Sequence, residues 1–212
     1  MIKRWQEGFY FTWLVAAREV RDQFRDWRIL MPMIILTLIV PFLGNAGAQA
    51  AINFTTEYGT PLIAERLVPF ILLVVGFFPV TVSLVIALEA FVGEKERGTI
   101  EPLLVSPLAD WKIYLGKLLA GTVAPLATSY LGIAVYLVGL VWQKIALPDL
   151  NRLAQTLTLT TVQAFLMVSA AILISTQSTS VRAANLMASF IVIPMALLLQ
   201  GEAVLLFWGN SQ

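Results

Sequence analysis

The sequence predicts an all-α polytopic membrane protein, and three observations carry that prediction. Hydrophobic residues make up 58% of the 212 positions and the mean hydropathy is +0.81, far above the apolar share of soluble domains. Charged residues amount to only 13% and are clustered, so they cannot clothe a water-facing exterior. The apolar residues fall into long runs, and a helical crossing needs roughly 20 of them. The expected organisation is an interfacial amphipathic helix over 1–28 and a transmembrane domain over 29–212. That domain should hold about five spanning helices, one short helix in the loop 94–107 and a C-terminal re-entrant piece.

The first element is read from Tyr10, Trp13, Ala17, Val20, Phe24 and Trp27, whose spacings of three and four place them on one helical face. Arg18, Arg21, Asp22, Arg25, Asp26 and Arg28 fill the other sides. Such a helix lies along the membrane on aromatic anchors; a soluble coiled-coil seam fits less well, because a spanning run follows directly. Met1-Ile2-Lys3-Arg4 with the apolar stretch 8–17 has some character of a secretory leader. Arg18 to Asp22 continue the charged helical pattern without a cleavage context, so the segment is read as mature sequence.

Ile29 to Leu43 opens the first span, which the weakly polar Gly44 to Ala51 extends to full length, and Asn53 to Arg66 reads as a polar connector. Leu67 to Phe91 is the second span, interrupted by Glu89 near its end. Ser106-Pro107 is a helix start, with serine as cap and proline in the first turn. The third span runs from about Trp111 to Trp142, with Lys112 and Lys117 near one end, where lysines can snorkel to headgroups. Leu153 to Ile174 is the fourth span and Ala183 to about Leu199 the fifth. Gln200-Gly201-Glu202 then breaks the pattern, leaving Ala203 to Trp208, too short to span and therefore read as a re-entrant or interfacial half-helix. Small-residue pairs such as Gly116/Ala120 and Ala184/Ala188 would let helices approach closely.

Basic residues set the orientation. With the N-terminus cytoplasmic, eleven bases lie inside: Lys3, Arg4, Arg18, Arg21, Arg25, Arg28, Lys95, Arg97, Lys112, Lys117 and Arg182. Three lie outside: Arg66, Lys144 and Arg152. The net charge of +1 leaves no electrostatic footprint for nucleic acid. With neither cysteine nor histidine there is no disulfide framework, and most zinc and histidine-dependent catalytic designs are excluded. No metal, cofactor or catalytic constellation is expected on this chain.

One segment stands out. Glu94-Lys95-Glu96-Arg97-Gly98-Thr99-Ile100-Glu101-Pro102-Leu103-Leu104-Val105-Ser106-Pro107 places mixed charges between two apolar runs. Charges of this density are costly in hydrocarbon and belong at a membrane surface. A solvated turn would explain the charge alone. Gly98-Thr99 supplies a bend and then a cap for a short helix from Ile100, with Pro102 in its first turn. Leu103-Leu104 is an apolar knob flanked by charge, a composition suited to transient docking.

The spacing Glu-x-Glu-Arg-Gly-Thr-x-Glu-x-Leu-Leu-x-x-Pro, followed by Gly116-Lys117, resembles the intracellular coupling segment of ABC-2 type transporter permeases. The amphipathic N-terminal helix is similar to the family's connecting helix. The run Ser178-Thr179-Ser180-Val181-Arg182-Ala183-Ala184-Asn185, with Pro194 downstream, resembles its cytoplasmic turn into the fifth span. The resemblance implies a permease subunit of an ATP-driven exporter in a bacterial or archaeal plasma membrane. A cytoplasmic ABC ATPase would dock on a coupling segment in which Glu94, Glu96, Arg97, Gly98, Thr99, Glu101, Leu103, Leu104 and Pro107 hold the family's places. It further implies that ATP binds on that partner and that a second permease copy or paralogue completes a dimer. Gly116-Lys117 lacks the glycine five residues earlier that a phosphate-binding loop needs.

The family carries six spans with a re-entrant hairpin between the last two, whereas this sequence stops at Gln212, within or just after the matching hairpin. A fragment or a short form relying on a partner's helix is the expectation. Two other functions compete: a structural or regulatory subunit that keeps the docking segment without transporting, and an intramembrane enzyme. The enzyme would need converging acids in the bilayer, where only Glu89 qualifies. Glu89, Gln163 and Glu202 are the candidate intramembrane polar residues, with Thr156, Thr158, Thr160 and Thr161 giving the fourth span a polar side.

Overall fold

The computed structural model describes residues 2–58, 61–98 and 109–208, and within them the chain forms six α-helices. In chain order they are α1 (Ile2–Gln23), α2 (Trp27–Tyr58), α3 (Pro61–Glu96), α4 (Asp110–Trp142), α5 (Leu150–Gln177) and α6 (Val181–Trp208). Among the described residues, α2, α4, α5 and α6 each contain a stretch long and apolar enough to cross a membrane. The fold is an integral membrane bundle.

The longest helix, α3, organises the bundle by packing against α2, α4, α5 and α6. Its first half (Val68, Leu72, Val75) meets Ala48 of α2 and Ile133, Tyr136 and Leu140 of α4. Its second half (Phe77 to Val92) meets Ala164 to Ile172 of α5 and Ala184, Ala188 and Met195 of α6. Two hydroxyls between these layers donate to backbone carbonyls of α3, as burial in hydrocarbon favours. Tyr136 donates to the Val68 carbonyl at 3.2 Å and Ser129 to the Gly76 carbonyl at 2.8 Å. Leu38, Phe42, Phe190 and Leu197, on α2 and α6, instead point outward.

Several expectations need correction. The polar connector predicted over Asn53 to Arg66 is largely helical: α2 continues to Tyr58 and α3 begins at Pro61. Local hydrogen bonds sustain the polar end of α2, with Gln49 donating to Asn53 at 3.1 Å and Thr55 to the Ala51 carbonyl at 2.8 Å. The break predicted at Gln200-Gly201-Glu202 is absent, because α6 runs through it to Trp208 as a single helix. One helical glycine costs only about 1 kcal/mol against alanine, too little to stop a helix with apolar residues on both sides.

The N-terminal helix also departs from its predicted packing. Thr12 and Ala16 are buried, and α1 packs on α4 through that face. The helix predicted over 1–28 is interrupted at 24–26, so of the exposed aromatics Trp13 belongs to α1, Phe24 lies in the turn and Trp27 opens α2. α1 thus meets protein through Thr12 and Ala16 and leaves Trp13 and Leu14 exposed.

Candidate functional site

The charged segment begins inside the last turn of α3. That helix ends at Glu96, and Gly98 adopts φ +67, the left-handed conformation glycine tolerates at a helix C-terminus. The predicted bend is present. Arg97 and Gly98 are exposed. Thr99, Glu101, Leu103, Leu104 and Pro107, along with the short helix expected from Ile100, lie outside the described residues.

Glu94 faces inward. Its carboxylate lies 3.0 Å from the Lys117 ammonium of α4, which also binds Glu19 of α1 at 2.9 Å. The Lys117 side chain is 1% exposed and each carboxylate 28%. The ammonium also sits 5.0 Å from the centre of the Phe91 ring, within reach of a cation–π attraction. Lys117 therefore does not snorkel to headgroups as its place near a span's end suggested. It is enclosed where α1, α3 and α4 converge. Such a site is possible because Gly116 carries no side chain: a Cβ there would meet Val15 at 2.8 Å and the Thr12 carbonyl at 3.2 Å.

The next two residues engage the α5–α6 turn. Lys95 donates to the Thr176 carbonyl at 2.5 Å and the Ser178 carbonyl at 3.4 Å, at the C-terminus of α5. Glu96 accepts from the Val181 N–H at 2.8 Å, at the first residue of α6. A cation at a helix C-terminus and an anion at a helix N-terminus both complement the macrodipole and satisfy terminal backbone groups.

One turn earlier, the Ser175 hydroxyl accepts from the N–H groups of Phe91 (3.1 Å) and Val92 (2.9 Å) and donates to the Leu88 carbonyl (2.5 Å). Leu88 and Val92 are the two ends of one helical rung, so α5 grips the backbone of α3 itself. Sequence reading missed Glu19 and Ser175. Lys117 gave the signal for the first, as a cation in an apolar run needs a carboxylate partner. A serine in a spanning helix gives no comparable signal.

The intramembrane candidates divide. Gln163 and Glu202 are brought together, with the Gln163 amide 3.3 and 3.4 Å from the two carboxylate oxygens. Glu89 lies on α3, and its side chain is outside the described ones. Thr156 and Thr160 are buried on the face of α5 that carries Gln163, while Thr158 is exposed. Thr161 shares a 2.5 Å hydrogen bond with Tyr130. Among the described residues, no group of acidic side chains could hold a metal ion.

The profile of the ABC-2 family transporter proteins matches residues 13–209. The probable ABC transporter permease protein NosY of Pseudomonas aeruginosa is 31% identical over 120 residues, covering 55% of this chain and 41% of that protein. Its namesake in Stutzerimonas stutzeri is 30% identical over 109 residues, covering 50% and 37%. The chain thus spans about two fifths of the length of these relatives. With the profile covering nearly all of a helical membrane bundle, this chain belongs to the ABC-2 transporter family.

Proposed function

We propose that the chain is the permease subunit of an ATP-driven exporter and that a separate cytoplasmic ABC ATPase docks on the segment Glu94 to Pro107. One observation carries this reading. The three residues leading into the segment are bonded to the neighbouring ends of the other helices: Glu94 to α4, Lys95 to α5 and Glu96 to α6. A push on the segment would therefore reach the whole bundle. ATP would bind on the partner, two permease chains would pair, and α3 would supply a fifth crossing. At 1.5 Å per residue its 36 residues reach about 54 Å, more than the ~30 Å hydrocarbon core. Its charged end would then stand clear of the bilayer on the cytoplasmic side.

The test is co-purification with the co-expressed ATPase. Glu101→Lys and a Leu103→Asp/Leu104→Asp pair should each lower ATPase recovery by at least about tenfold, because a misplaced charge in an interface costs several kcal/mol and about 1.4 kcal/mol already gives tenfold. Membrane insertion should be unchanged. Glu96→Lys is a poorer probe of docking, since it also removes the carboxylate that caps α6. Recovery at the wild-type level in both test variants would reduce the segment to a solvated turn.

A further inference from the structure

We infer that Lys117 is a positioning residue, a buried clasp that makes α1 and the charged end of α3 move with α4 as one body. This deepens the docking reading, and its importance for coupling rests on that reading. The geometry points to a clasp because the ammonium is central, with one carboxylate from each flanking helix at 2.9 and 3.0 Å. Its own helix supplies neither partner. Among the contacts between helices, α1 packs on α4 and α3 packs on α4. Lys117 closes that path with charge–charge contacts to both.

Stability is a poor explanation for this arrangement. A buried ion pair can often be replaced by apolar residues of similar size with no loss of stability, because desolvation offsets the attraction. Position 117, beside Leu115, Leu118 and Leu119 in α4, could accommodate leucine or methionine if its two carboxylate partners were replaced as well. What the charges add is geometry. Two short ion pairs fix the separation of Glu19 and Glu94, and salt screens them far less than it screens the exposed Arg18–Asp22 pair at 3.9 Å. A push arriving at the α3 end is then shared with the interfacial helix.

The experiment uses the full chain in lipid nanodiscs. Single cysteines replace Ala17 and Arg97, both exposed, in a sequence with no native cysteine. Spin labels on them report the distance distribution between α1 and the end of α3. Wild type and Lys117→Arg should give one narrow distribution, unchanged by raising the salt.

Two variants open the clasp without leaving a buried lysine unpaired. Glu19→Ala removes the α1 arm and keeps Lys117 paired with Glu94. Glu19→Gln and Glu94→Gln with Lys117→Met removes both arms and all three charges together. Both should broaden the distribution about twofold by releasing α1 into several positions, with thermal midpoints close to wild type. An unchanged width in both variants would overturn the clasp. So would a collapse of thermal stability in both, which would assign the triad to folding alone. The measurement needs only the permease, so its outcome stands apart from whether an ATPase docks.

Discussion

Gly116 and Lys117 are neighbours in sequence with complementary tasks: the first admits α1 to close range and the second holds it there. Gly116→Val should therefore undock α1. Its side chain would drive into Val15 and the Thr12 carbonyl, and overpacking of this kind costs about 1–3 kcal/mol. Thermal unfolding in detergent is the measurement. Gly201→Ala is the control, because nothing lies within 4 Å of a Cβ there and a helical glycine gains about 0.5–1 kcal/mol on becoming alanine. A midpoint for Gly116→Val at or above wild type would refute the close contact. The glycine's role was half legible, since Gly116/Ala120 spacing announced a close helix approach without saying which helix approaches. The lysine's role was misread because headgroup snorkelling is the local solution, and Glu19 arrives from 98 positions away.

At the scale of elements, one hydroxyl ties the backbone of α3 to α5 within their shared apolar contact. Ser175→Ala should loosen the last turns of α3, since it removes the bonds to Leu88, Phe91 and Val92. The expected loss is about 1–2 kcal/mol, as neutral hydrogen bonds contribute roughly 1 kcal/mol each. Backbone hydrogen exchange at Phe91 and Val92 should quicken about tenfold, with amides in the first half of α3 unaffected. Equal exchange in both proteins would show that the hydroxyl only decorates the helix.

Third-span, fourth-span and fifth-span positions were legible because apolar runs are long and their ends are marked by turn residues such as Pro148 and Ser178. The ends of α2 and the middle of α6 were not. Polarity at Asn53 and Glu57 or at Gln200 and Glu202 signals where lipid stops, whereas the helical backbone continues wherever its own ladder is intact. Periodicity joined Trp13, Phe24 and Trp27 into one stripe, but the turn at 24–26 divides it, and periodicity could not tell that Thr12 and Ala16 meet protein.

For the whole molecule, the bonds of Glu94, Lys95 and Glu96 to Lys117, Thr176 and Val181 gather one set of helix ends, and the eleven-to-three distribution of bases predicts that this set is cytoplasmic. Asp149 and Thr179 sit in exposed connections at the two ends of α5. Single cysteines there should label differently in intact cells. An impermeant thiol reagent should reach the Asp149→Cys variant from outside and Thr179→Cys only after lysis. Labelling of Thr179→Cys in intact cells would invert the orientation.

The same wiring bears on how the protein is made. Lys95 leaves the ribosome 81 residues ahead of its partner Thr176, and Glu96 is 85 ahead of Val181. At roughly 5–20 residues per second, that interval lasts on the order of ten seconds. Once α4 has followed, the first half of α3 is lined by α2 and α4 and Glu94 can meet Lys117, while the part of its second half that packs on α5 and α6 still faces lipid or the insertion machinery. Lys95 and Glu96 acquire their partners only when the α5–α6 turn emerges, so a chain halted before that turn would present its charged segment held at Glu94 alone.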